Sequence, residues 1–297
     1  MPSLPRSLSK VLLLAIISGT AGCGPSDAPS SEPSERRPRD IDSDGSPGGY
    51  ELGGEIDGDA PGSDPGETTS CDPKGILLRA VVRDFNAAED PDGHPDFETF
   101  GGGSATLGLV EEELGPDRKP VYTGRCSEPG MTEACPNDQQ MTDEESFNQW
   151  YRDTPGVNLS YEVVLSLDPT PEGLRFESAE FFPLDGAGFG DHGRGHNYHF
   201  TTEVHTEFQY LGGEVFTFMG DDDVWIFVNG KLAVDLGGLH GELSGTVDLD
   251  ARAEELGLTK GQSYPFDLFH AERHTLESRF RMDTNFHFTR CGTRVRD

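Results

Sequence analysis

Residues 220–231 read Gly-Asp-Asp-Asp-Val-Trp-Ile-Phe-Val-Asn-Gly-Lys: three adjacent carboxylates, then an apolar run that ends in Asn229-Gly230. An Asn-Gly pair between two apolar runs is a strong hairpin signal, because both residues tolerate the positive φ of a type I′ turn. A two-residue turn fixes the register, so that Val228 faces Lys231, Val224 faces Asp235 and Asp222 faces Gly237. Asp235 then stands beside the Asp221, Asp222 and Asp223 cluster, and the loop Gly237-Gly238-Leu239-His240-Gly241 starts at the same end. The hairpin is apolar on both faces, Trp225 and Phe227 included, which predicts a strand pair covered on both sides.

The same texture extends over residues 71–297, as short β-rich segments separated by Gly, Pro, Asp and Asn. Strands are expected at Ile76 to Asp84, Leu159 to Leu167, Leu174 to Phe182, His199 to Tyr210, Val215 to Met219, Val224 to Val228, Leu232 to Leu236, Gly245 to Leu249, Ser263 to His270 and Phe280 to Phe288. The last alternates cleanly, with Phe280, Met282, Phe286 and Phe288 on one side. Helix is confined to Thr142 to Tyr151, where Thr142 and Glu145 have capping-box spacing, and to Ala251 to Leu256. This pattern predicts an all-β domain, an antiparallel β-sandwich or partly closed barrel.

Residues 24–70 are dominated by Gly, Pro, Ser, Asp and Glu and predict a disordered acidic tether over 23–70. Within it Asp40 to Glu51 has the acid and Gly spacing of an EF-hand loop, but no amphipathic helix flanks it, and a solvated linker is the better reading. Upstream, Arg6 and Lys10 precede the apolar run Val11 to Ile17, which is too short to span a bilayer and reads as a secretory signal over 1–22. Thr20-Ala21-Gly22-Cys23 resembles a bacterial lipobox, with Thr20 where Leu is usual, so Cys23 is the expected lipidation site. Gly24 after it implies an outer-membrane or surface location, with membrane contact only through the lipid. The other cysteines, Cys71, Cys126, Cys135 and Cys291, number four, which suits two disulfides in an exported chain. Three connectivities are open; a short loop Cys126–Cys135 and a long staple Cys71–Cys291 are favoured.

A formal charge of −31 excludes nucleic acid and anionic membrane surfaces as natural partners and favours divalent cations. Two unit charges about 4 Å apart repel by roughly 4 kcal/mol at an effective dielectric near 20, so the three aspartates need solvent, protonation or a cation. Hard oxygen donors on one loop suit calcium, which takes roughly six to eight oxygens. A solvated turn whose carboxylates cap backbone N–H groups is the alternative.

The stretch from Asn197 to Gly241 and the stretch Phe266 to Phe280, "FDLFHAERHTLESRF", resemble the fibro-slime domain, which is related to PA14-like β-sandwich modules. Weaker echoes are Arg83 to Phe85, His94 to Glu98 and Phe147 to Asn158. In lectin members of the PA14-like group, two adjacent aspartates joined by a cis peptide hold a calcium that binds sugar hydroxyls. The resemblance carries that pair onto Asp221 and Asp222, with Asp223 and Asp235 as further candidate ligands and Asn197 and His240 as candidate ligand contacts.

No nucleophile elbow, His-Glu-x-x-His helix or phosphate-cradling loop is present, so no enzyme is expected. Two histidine groups, His192, His196 and His199, and His270 with His274, offer zinc ligands but lack helical zinc-site spacing, and polar loop and hairpin positions are the better reading. The expected function is a lipid-anchored surface module that engages carbohydrate or extracellular matrix through a calcium-organised loop. A structural matrix protein without glycan binding is the alternative, and a secreted polysaccharide hydrolase a weaker one.

Overall fold

The computed structural model describes residues 49–56, 75–130 and 133–290. In chain order the strands are β1 (Tyr50–Glu55), β2 (Ile76–Phe85), β3 (Asn158–Thr170), β4 (Gly173–Ser178), β5 (Phe200–Gln209), β6 (Val215–Gly220), β7 (Asp223–Val228), β8 (Lys231–Leu236), β9 (Leu243–Asp248), β10 (Ser263–Glu272), β11 (Phe280–Thr284) and β12 (His287–Phe288). The expected strand Phe280 to Phe288 is thus split, because β11 pairs with β4 and β6 while β12 crosses to β5. All the pairings are antiparallel, and the neighbours run β8-β7-β10-β5-β2-β3-β4-β11-β6-β9. The long β3 serves both halves: residues from Asn158 to Leu167 bond to β2, and Asp168 to Thr170 bond to β4. The two end strands nearly meet, since a Cβ at Gly245 of β9 would lie 2.4 Å from Val234 Cγ1 of β8. Gly245 therefore lets a folded sheet become an almost closed sandwich.

β1 corrects the tether expectation for residues 49–56. Tyr50 pairs with Leu165 and Leu52 with Val163, and the Tyr50 ring sits edge-on to Phe181 at 5.2 Å. The signal, Cys23, the acidic loop from Asp40 to Gly48, Cys71 and Cys291 lie outside the described residues. Cys126 and Cys135 form a disulfide, as favoured from the sequence.

The two helices are short. α1 (Glu144–Asn148) is capped reciprocally by Asp143 and Ser146, one residue along from the expected Thr142 and Glu145. α2 (Leu249–Leu256) starts at the Asp248 cap and stops at Gly257, whose φ of 71° closes the helix. Among the described residues no helix is long and apolar enough to cross a membrane.

Two cores result from the two-faced strands. The inner face of the sandwich packs Val82, Val204, Val224, Ile226, Leu268 and Phe280 among others. The outer face of β7 and β10 presents Trp225, Phe227 and Phe269, which residues 86–157 cover with Phe97, Phe147, Trp150 and Tyr151. Ion pairs help fasten that covering segment. Glu203 of β5 accepts from Arg83 Nη1 at 2.9 Å and Lys119 Nζ at 2.5 Å, Arg83 also reaches Asp153 at 2.8 Å, and Arg118 pairs with Asp267.

Candidate functional site

The β7–β8 hairpin turns on Asn229 and Gly230, with φ of 54° and 73° as a type I′ turn requires. Val228 faces Lys231 as expected, but a bulge between Ile226 and Phe227 shifts the rest. Trp225, not Val224, faces Asp235, because the strand opposite carries one extra residue. The shift gives Asp235 a specific partner: its Oδ1 accepts from Trp225 Nε1 at 3.1 Å and Gly237 N at 3.1 Å, and its Oδ2 accepts from Gly108 N at 2.8 Å.

Each aspartate of the acidic loop has its own task. Asp221 Oδ1 accepts from Arg279 N at 2.7 Å, and Asp222 Oδ2 accepts from Arg273 N at 2.8 Å. The loop between those two arginines is therefore held at both ends by adjacent carboxylates, and Leu276 at its tip is 82% exposed. Asp223 turns the other way: Oδ1 accepts from Gly238 N at 2.6 Å, and Oδ2 lies 2.7 Å from Arg273 Nε. That contact is close as an ion pair yet not aligned as a hydrogen bond, since both atoms lack a hydrogen-bond partner.

Arg273 joins the acidic loop to the covering segment. It is fully buried, its Nη1 donates to Gln140 O at 2.8 Å, and its guanidinium lies 4.9 Å from the Trp150 ring. Trp150 in turn donates to Asp96 at 3.0 Å, and Gln140 Oε1 accepts from Leu239 N at 3.0 Å. A planar guanidinium suits this combination of carboxylate, carbonyl and aromatic face.

The loop is buried, not solvated, with Asp221, Asp222 and Asp223 all at or below 5% exposure. Burial pushes the Asp222 carboxyl up to about 6, and the nearby Asp223 adds to the rise while Arg273 opposes it. Burial also raises Asp221, and it raises Glu272 well above the usual range, with Asp222 and Asp221 adding repulsion. Asp221 Oδ2 and Glu272 Oε2 are buried without a hydrogen-bond partner. Hard oxygens held against their own charge are chemically suited to a cation. Yet among the described residues no group of three or more His, Cys, Asp or Glu side chains is placed to hold a metal ion. The four expected ligands thus divide: Asp221 and Asp222 face one loop, while Asp223 and Asp235 are taken up by protein donors.

The expected ligand contacts Asn197 and His240 are both buried. Asn197 Nδ2 lies 3.3 Å from Ala187 O, and the His240 ring nitrogens face Gly241 O at 2.8 Å and Leu236 O at 2.9 Å. These side chains support loops instead of lining an open rim. The histidines weighed for zinc each have a different carboxylate partner: His192 pairs with Asp90 at 3.4 Å, His196 with Asp185 at 2.8 Å and His199 with Glu98 at 2.9 Å. His270 lies among Phe181, Phe200, Phe218 and Phe280, and burial pushes it down to about 3.

Glu98, Gln140, Glu272 and Arg273 were missed. Glu98 bridges His199 and Thr275, and its N–H donates to Arg273 O at 2.9 Å. Glu98, His199 and Asp222 all have positive φ, a costly conformation for a residue with a side chain. Glu272 and Arg273 stood in a stretch notable for its histidines, and only the fold shows that the charge between them matters.

The PA14 domain family model matches residues 155–293. Among curated proteins the chain is similar to Protein psiR of Dictyostelium discoideum, 38% identical over 231 residues, covering 72% of this chain and 21% of psiR. Protein psiD of the same organism is 40% identical over 229 residues, covering 73% of this chain and 42% of psiD. The chain therefore spans less than half the length of these relatives. Among solved structures it is similar to a PA14 sugar-binding domain from an RTX adhesin, with 12% identity, a TM-score of 0.29, and coverage of 72% of this chain and 94% of that one. The acidic loop, Arg273 and the loop ending at Arg279 all fall within residues 155–293, the stretch that the PA14 model matches.

Proposed function

We propose that the protein is an exported, lipid-anchored surface module that binds carbohydrate or extracellular matrix at the pole carrying the acidic loop. The observation that carries this reading is the adjacent pair Asp221 and Asp222, each fastening one end of the Arg273–Arg279 loop beneath the exposed Leu276. The PA14 match over the same residues supports it. Acylation of Cys23 would place the module on the outer membrane or cell surface, outside the described residues.

In this reading Asp221 and Asp222 hold calcium together with backbone and ligand oxygens. Calcium, when bound, supplies positive charge to offset the buried carboxylates. Asp223 and Asp235 take no part, because their oxygens are already engaged. Glu242 and Glu277 beside Arg279 keep the outer rim acidic, which favours a neutral polyhydroxyl glycan over an anionic one.

The test is a glycan array probed with the full chain, in calcium and in chelator. Binding to neutral glycans, lost in chelator and in Asp221→Asn with Asp222→Asn, is expected. Binding that survives both changes overturns the calcium step, and no binding to any glycan overturns the reading. A matrix module without glycan affinity is the second reading, favoured by the ion pair and hydrogen bond that Asp223 makes and the three hydrogen bonds that Asp235 accepts; it predicts a silent array. Either reading is one of binding without turnover, so hydrolysis of a polysaccharide abolished by one carboxylate substitution would refute both.

A further inference from the structure

The Cys126–Cys135 disulfide lies outside the PA14 match, in the segment that covers the outer face of the sheet. Its connections lead to the acidic loop. Cys126 O accepts from Gln140 N at 2.8 Å and Met141 N at 3.3 Å, so the bridged loop sets the turn at Gln140. Gln140 then holds both loops that flank the aspartates. Its backbone carbonyl takes Arg273 Nη1 at 2.8 Å, its side-chain Oε1 takes Leu239 N at 3.0 Å, and its Nε2 donates to Gly101 O at 2.9 Å. Arg273 is the ion partner of Asp223 and its N–H the donor to Asp222, while Leu239 belongs to the loop whose Gly238 N binds Asp223.

A second strand of contacts runs in parallel. Asn137 Nδ2 donates to Thr106 Oγ1 at 3.0 Å, and Thr106 N donates to Gly237 O at 2.6 Å. Cys126 itself has a φ of 59°, a conformation that a residue with a Cβ adopts only where its surroundings hold it. The cross-link to Cys135 is such a restraint. Cys135 is half-buried, so a small thiol can approach the bridge from its side.

We propose that the Cys126–Cys135 disulfide is a reducible clasp that, through Gln140, sets the order of the acidic loop and makes it responsive to dithiols. The reaction is two-electron thiol–disulfide exchange. One thiolate of a small dithiol attacks the bridge to give a mixed disulfide and a free cysteine thiolate. The second thiol of the reagent displaces the other cysteine; the reagent leaves as its own disulfide, and both cysteines take up protons as thiols. With the bridge open, the turn at Gln140 is restrained only by its hydrogen bonds, and its hold on Arg273 and Leu239 weakens. The proposal concerns the conformation of the loop and stands or falls independently of glycan binding.

The experiment is amide hydrogen exchange on the full chain, oxidised and after treatment with dithiothreitol, with the thiol count checked by mass. Reduction is expected to speed exchange at the Leu239, Gly238 and Arg273 amides by about ten-fold or more, while the Val204 and Leu268 amides of β5 and β10 stay protected. Gln140→Ala removes the acceptor of Leu239 N but keeps the carbonyl that binds Arg273, so it should speed the Leu239 and Gly238 amides with the disulfide intact. Cys126→Ser with Cys135→Ser should show the fast exchange without reagent and no further response to it, which separates this bridge from any other disulfide in the chain. Unchanged exchange at these amides on reduction overturns the proposal. So does a dithiol response of wild-type size in the double variant. Should the double variant not fold, Gln140→Ala decides: protection equal to wild type at Leu239, whose amide loses its side-chain acceptor, overturns it.

Discussion

Replacing Arg273 by Met would leave Asp223 buried without its ion partner and remove the cation stacked near Trp150. Both partners are completely buried, so solvent cannot take over the role of either. Breaking such a pair from one side costs about 3–5 kcal/mol, because the desolvated charge that stays behind has nothing to offset it. We expect a loss of about 4 kcal/mol for Arg273→Met and about 3 kcal/mol for Asp223→Asn, which strands the guanidinium instead. The double variant removes both charges, and its loss should be near about 4 kcal/mol, leaving a coupling of about 3 kcal/mol. Arg273→Lys should fall between wild type and Arg273→Met, since it keeps the charge but loses the planar contact with Trp150. The assay is urea unfolding of all variants, with equal m-values required so that the midpoints report stability. Additivity of the single losses to within about 0.5 kcal/mol would refute the pairing and leave Arg273 as a space-filling side chain.

Three further outcomes are expected. Burial pushes the Asp84 carboxyl from 3.8 up to about 7, so the fold prefers its protonated form. That contribution is fully present below 3.8 and is lost as pH rises through 7, amounting to about 2–3 kcal/mol between pH 5 and pH 8; Asp84→Asn, followed by thermal melting across that range, should flatten the dependence. A Cβ at Gly220 would sit 2.2 Å from Arg279 O, so Gly220→Ala should displace the Arg279 end of the presented loop and lower the melting temperature by several degrees in calorimetry. Asp235→Ala leaves Trp225 Nε1 buried without its acceptor and should cost about 1–3 kcal/mol in urea unfolding, whereas Asp235→Asn, which keeps an acceptor oxygen, should cost less.

Most of the fold was legible because its strands are written in apolar alternation or in unbroken apolar runs, and Asn229-Gly230 named its own turn. What escaped was what depends on partners far along the chain. The bulge opposite Phe227 leaves no mark in the sequence of β8, yet it moves Asp235 from Val224 to Trp225. β1 lay hidden in a Gly-rich acidic stretch, where only Tyr50 and Leu52 hint at a buried face. The candidate site was legible as a place, at Asp221 to Asp223, but not as a mechanism. Like charges were visible at once, whereas Arg273 lies fifty residues downstream and Gln140 eighty residues upstream, and no local pattern joins them. The buried roles of Asn197 and His240 likewise come from carbonyls that only folding brings near.

The direction of β1 has a mechanical meaning. The chain enters it at Gly49, whose carbonyl binds Ser166 N at 2.7 Å, and runs toward the acidic loop, with Glu55 opposite Tyr161. Gly49 therefore lies toward the far pole, where β12 also starts beside Gln209. If tension is applied between a tether at Gly49 and a ligand gripped at the acidic pole, β1 is pulled along its own axis. Its cross-strand hydrogen bonds to β3 then share the force in shear and must yield together, instead of parting one by one as in a strand peeled from its end. Under such a load this six-residue strand, which adds little to the core, would be the first element to bear the force.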